Sequence, residues 1–107
     1  MGKLSLRNEP TFLASVQIPV PGAYPEPVKF TFRHRSRDEL RSFIKTQEDA
    51  EPKIDDIDLV MTVAEGWDLD DVFNRENVDR LLQKFHAAAS TITTTYIKEL
   101  TQARLGN

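Results

Sequence analysis

No cysteine occurs in the 107 residues, so neither a disulfide nor a thiolate metal site can be built, and the chain suits a reducing compartment. Glycine is scarce, and none of the 4 falls in a G-x-G or P-loop pattern, which leaves no phosphate cradle. The 2 histidines, His34 and His86, stand far apart and outside any H-x₃₋₅-H spacing. No apolar run approaches the ~20 residues that cross a bilayer. The start, MGKLSLRNEP, lacks the apolar stretch of a secretory signal. Met-Gly-Lys hints at myristoylation, but Leu6 stands where Ser or Thr is wanted. Positive charge is not in excess either: the net charge is −3, which argues against general nucleic-acid binding. At 29% charged and 39% hydrophobic residues, the composition is that of a folded domain. The length suits one domain over 1–107, whose core buries less than ~70% of the unfolded chain's surface.

Catalytic chemistry finds little support. Asp68, Asp70 and Asp71 invite a Ca²⁺ reading, but an EF-hand loop counted from Asp68 places Val72 at its fifth position, Phe73 at its sixth and Asp79 at its twelfth. The turn glycine and the third ligand are both missing, so Asp68 or Asp71 reads as a turn or capping residue. No nucleophile elbow occurs. The expectation is a non-enzymatic protein with no cofactor and no metal. The cluster Arg33, Arg35, Arg37 and Arg41 is interrupted by Asp38 and Glu39 and reads as a solvated rim, or as a contact for an acidic partner helix.

The elements are easier to place. Residues 1–11 are polar and read as a loose arm. Phe12, Ala14, Val16, Ile18 and Val20 alternate, as do Val28, Phe30 and Phe32, with PGAYPEP between them. Period-two patterning on both sides of a Pro-rich loop predicts an antiparallel hairpin over 12–33, and the edge of its first strand is open to pairing with another copy. A helical part over 36–105 follows. Ser36 with Glu39 forms a capping box ahead of Leu40, Phe43 and Ile44. A second helix carries Ile57, Val60, Met61 and Ala64, begins among Asp55, Asp56 and Asp58, and stops at Gly66 as C-cap. Asn74 caps a third, with Val78, Leu81, Leu82 and Phe85 on one face. The last carries Ala88 or Ala89, then Ile92, Tyr96, Leu100 and Ala103, and ends at Gly106; its five threonines make it depend on packing. The spacing leaves open whether helices three and four join through His86. The fold class is α+β, an N-terminal antiparallel hairpin followed by a three- to four-helix bundle.

Trp67 is the only tryptophan. With Leu69 it is placed to plug the corner between helices two and three, while Phe73 before Asn74 fits a hydrophobic staple onto Val78. The same ring type is enriched at binding hot spots. Ala88, Ile92 and Tyr96 suit either a core stripe or the wall of a groove for an amphipathic helix.

From Trp67 onward, WDLDDVFNRENVDRLLQKFHAAASTITTTYIKELTQARLGN resembles the tail assembly chaperones of long-tailed bacteriophages. The matching positions are Trp67, Phe73, Glu76, Asn77, Leu81, Leu82, Phe85, Ala88, Ile92, Tyr96, Leu100 and Ala103. The family's aromatic-Pro break is Phe85-His86 here. The resemblance implies a protein that binds the tape measure protein and keeps it soluble while tail-tube subunits assemble around it. It would act in the cytoplasm of the bacterial host and be absent from the finished virion. The major tail protein, a second copy of the chain and a frameshifted longer form are further candidate partners. Candidate partner-binding residues are Trp67, Phe73, Ala88, Ile92 and Tyr96. The rival readings are a small DNA-binding regulator, with a helix-turn-helix made from helices two and three, and another kind of protein-interaction module.

Overall fold

A computed structural model describes residues 6–7 and 9–102. Two strands, β1 (Thr11–Ile18) and β2 (Glu26–Arg33), form the expected antiparallel hairpin in register from Thr11↔Arg33 to Ile18↔Glu26. Alternation sends Ala14, Val16, Ile18, Val28, Phe30 and Phe32 to one buried face, while Leu13, Ser15, Gln17, Lys29 and Arg33 face water. The connection turns at Gly22, whose φ of 75° suits a residue without Cβ, and Ala23 N donates to Val20 O at 3.0 Å. Pro27 is tolerated inside β2 because its missing N–H falls beyond the stretch, Phe30 to Phe32, that pairs on its other side.

Four helices cover the buried face. Helix α1 (Arg37–Asp49) starts at the expected capping box: Ser36 Oγ accepts from Glu39 N at 3.1 Å, and Glu39 Oε1 accepts from Ser36 N at 2.8 Å. Leu40 and Phe43 carry its buried stripe. Helix α2 (Asp56–Val63) is capped by Asp55 and buries Val60 and Val63. Helix α3 (Arg75–Lys84) is capped by Asn74 Oδ1, which accepts from Asn77 N at 2.8 Å. Helix α4 (Ala88–Thr101) lies against β1 and α2 and buries Ala88, Ala89, Ile92 and Tyr96. It has no side-chain cap, and Thr93 and Thr101 return their hydroxyls to carbonyls four residues back, so packing is what holds it. The chain leaves helical geometry at Phe85 to Ala87, so α3 and α4 are separate helices. Expected positions Ala103 and Gly106 lie outside the described residues.

One element departs from the sequence reading. Ala64 does not continue α2, and Gly66 is not its C-cap. Residues Ala64–Trp67 form a third strand, β3, antiparallel to β2, giving the sheet order β1-β2-β3. Phe32 pairs with Ala64, Thr31 with Gly66 and Phe30 with Trp67, which leaves Glu65 as the extra residue of a bulge. The open edge of β2 explains the change. It supplies hydrogen-bond partners for a backbone that would otherwise end a helix, and tertiary pairing overrides the helical period of Ile57, Val60 and Ala64. The strand also removes the helix-turn-helix reading, because β3 and a loop stand between α2 and α3.

Candidate partner-binding groove

The loop after β3 is built from backbone partners. Asp68 N donates to Lys29 O at 3.0 Å, and Asp68 Oδ1 accepts from Lys29 N at 3.0 Å, so this side chain completes the ladder one rung past the strand. Trp67 Nε1 donates to Asp71 O at 2.7 Å, folding the loop back under the indole. Asn77 Nδ2 donates to Val72 O at 2.8 Å and ties the loop to α3. The three aspartates thus divide between a ladder cap, a backbone acceptor and Asp70, and among the described residues no cluster of His, Asp or Glu could hold a metal ion.

Trp67 is half-buried. Its indole meets Phe73 edge-on at a ring-centroid distance of 5.0 Å and Phe30 at 6.0 Å. One side of the indole is left facing a groove of about 440 Å³ between the closed end of the hairpin and α3. Ile18, Val20, Pro27 and Val28 line it from the hairpin, Trp67, Leu69 and Asp71 from β3 and its loop, and Asn77, Arg80, Leu81, Lys84 and Phe85 from α3. Its lining includes two cations on α3, Arg80 and Lys84, one helical turn apart, and two acids, Glu26 at the start of β2 and Asp71 in the loop before α3. Asn77 holds Arg80 by accepting from Nη1 at 2.9 Å. Such a lining, apolar and charged together, suits an amphipathic segment with its apolar residues inward.

The remaining candidates lie elsewhere. Ala88, Ile92 and Tyr96 are all fully buried, and the chain's own elements cover them. Tyr96 sits among Phe12, Phe32 and Phe43, at centroid distances of 6.1, 5.3 and 6.2 Å. Its hydroxyl accepts from Arg35 Nη1 at 2.8 Å and donates to Arg33 O at 2.8 Å. Burial pushes the phenol above its ordinary range, partly opposed by the Arg35 guanidinium. Arg35 also lies 4.7 Å over the Phe43 ring and reaches Thr62 O. The basic run is therefore not one surface. Arg35 turns into the aromatic corner, Arg33 pairs with Glu65 at 3.2 Å, and Arg41 lies 3.7 Å from Asp38. Sequence reasoning missed Arg35, and the only available signal was its place at the end of an alternating strand, beside the Ser36 cap.

Fold and groove together define a small α+β domain with an open, partly apolar groove beside Trp67. A sequence profile described as phage tail assembly chaperone matches residues 1–107, and the chain belongs to that family. No curated protein and no solved structure matches it. The family is one of assembly chaperones, which is not an enzyme class, and it implies interaction with tail proteins. Among the described residues no helix is long and apolar enough to cross a membrane.

Proposed function

We propose that this chain binds the tape measure protein and keeps it soluble while the tail tube forms around it, without catalysing a reaction. The observation that carries this reading is the groove: an apolar floor at Trp67 and Leu69, open to water, in a member of a tail assembly chaperone family. A long helical partner exposes an apolar stripe that aggregates unless covered, and a groove of this kind covers one. The cations Arg80 and Lys84 and the acids Glu26 and Asp71 in the lining would help fix how a charged amphipathic helix lies. Trp67 and Phe73 act at the groove, Trp67 as its wall and Phe73 as the ring that braces it. Ala88, Ile92 and Tyr96 contribute from within the core by holding α4 in place. Action belongs in the host cytoplasm during assembly, with the chain absent from the finished virion. The major tail protein and a frameshifted longer form of the chain are its further proposed contacts.

Co-expression with the tape measure protein tests this. The wild-type chain is expected to hold the partner in the soluble fraction and to co-elute with it. Leu69→Glu and Lys84→Glu, both on the groove, are expected to lose the partner while keeping the far-UV circular dichroism of the wild type. A tape measure protein that stays insoluble beside the wild-type chain sinks the reading. Undiminished capture by both variants moves the contact away from the groove.

A further inference from the structure

Strand β1 is the outer strand of the sheet, and among the described residues no strand pairs with its second edge. The register fixes which groups that edge offers. His34 N donates to Pro10 O at 2.9 Å, and Pro10 stands opposite His34 when the pairing Thr11↔Arg33 is extended by one residue. Bonded and non-bonded pairs alternate in an antiparallel ladder, so Phe12, Ala14, Val16 and Ile18 bond to β2. Thr11, Leu13, Ser15 and Gln17 then turn their N–H and C=O groups outward.

Natural edge strands carry guards against unwanted pairing: shortness, charge, proline or a bulge. At the opposite edge, β3 has 4 residues, a bulge and the charged Glu65. β1 has none of these. Its 8 residues, TFLASVQI, contain no charge, proline or glycine, keep unbroken register with β2, and leave Leu13 60% exposed.

We propose that this edge pairs with β1 of a second copy of the chain, antiparallel across a two-fold axis at Ala14, joining two three-stranded sheets into one with all helices on the same face. In that register Thr11 lies opposite Gln17 and Leu13 opposite Ser15 of the second copy. All four outward residues then sit in hydrogen-bonded pairs. Ala14 meets its own counterpart at the axis, in a non-bonded pair of Cα separation ~4.5 Å that suits a small side chain. The two Leu13 side chains become diagonal neighbours, ~7–8 Å apart, and shield each other. A charged strand would repel its own copy, whereas this neutral one meets no like charge.

Sedimentation velocity of the full chain is expected to show a dimer of the 12.2 kDa protomer. Ser15→Pro removes an outward N–H without touching the β1–β2 ladder, and is expected to weaken self-association by about tenfold or more. Leu13→Lys, which brings like charges together, provides a second variant, and circular dichroism checks that each has folded. The double variant Leu13→Cys/Ser15→Cys, in a chain with no other cysteine, is expected to give a covalent dimer on oxidation. A monomer at every accessible concentration, or a dimer indifferent to both edge variants, overturns the proposal. So does loss of tape measure capture in Ser15→Pro without any change in self-association, which would assign the edge to a partner's strand. None of these positions lines the groove, so failure here leaves the groove reading standing, and failure there leaves this one standing.

Discussion

Tyr96 and Trp67 each stand where helices meet the sheet, each among phenylalanines, and each donates one hydrogen bond to a backbone carbonyl. Their exposures differ. At Tyr96, carried by α4, rings from β1, β2 and α1 pack against the side chain and leave it fully buried, and Arg35 donates to its hydroxyl. At Trp67, β2 and the loop before α3 close one side, and the other faces the groove. The same residue chemistry gives a closed core ring in one place and a half-open one, proposed as a partner's seat, in the other. The number of elements that converge on the ring decides which. A ring whose polar atom is satisfied and whose faces are covered stabilises the fold, whereas one left half open has apolar area still exposed to water, the area that the proposed function assigns to a partner.

The largest test of this contrast is Tyr96→Ala. It empties a fully buried site and strands Arg35, and should cost about 3–5 kcal/mol in urea unfolding. Tyr96→Phe keeps the ring but leaves Arg33 O without its donor and should cost about 1–2 kcal/mol, with partner capture unchanged. Trp67→Ala comes next. Because the indole is only half-buried, the loss should be roughly 2 kcal/mol, below that of a fully buried ring, with capture of the partner reduced as well. Equal stability losses for Tyr96→Ala and Trp67→Ala would dissolve the distinction. Ser36→Ala, remote from both corners, should cost about 1 kcal/mol through loss of the capping box and leave capture intact.

The smallest effects are in pH. The raised Tyr96 pKa means that its stabilisation is fully present below the ordinary value of 10.0 and is lost as pH rises from there through the folded-state value. Tyr96→Phe should flatten that alkaline limb. Glu39 behaves in the opposite sense. The hydrogen bond from Ser36 N holds its carboxyl below 4.5, so its contribution is present above 4.5 and is lost as pH falls through the lowered value. Glu39→Gln should flatten the acid limb, as read from thermal midpoints across a pH series.

Much of this architecture is legible in one dimension. Alternation in FLASVQI and VKFTF gave the hairpin, because a pleated strand must sort its side chains by parity. Ser36 with Glu39, and Asn74, marked helix starts, because orphan N–H groups near a helix start need an acceptor close in sequence. β3 was not legible. Its four residues, AEGW, have too little period to compete with the apolar spacing of the helix before them, and their partner is the remote edge of β2. The candidate site was legible in part. The position of Trp67 between helices pointed to a corner, but nothing local distinguishes its half-open ring from the closed ring of Tyr96.

Local rules, acting between residues a few positions apart, were enough to set the two hairpin strands with their inward faces and the capped starts of α1 and α3. Pairing between distant segments decided the rest. It turned Ala64 to Trp67 into a strand, drew Arg35 onto Tyr96, and left a cleft between α3 and the closed end of the hairpin. Burial is a property of what lies across from a side chain in space, and one-dimensional order does not carry that until the sheet and helices have packed.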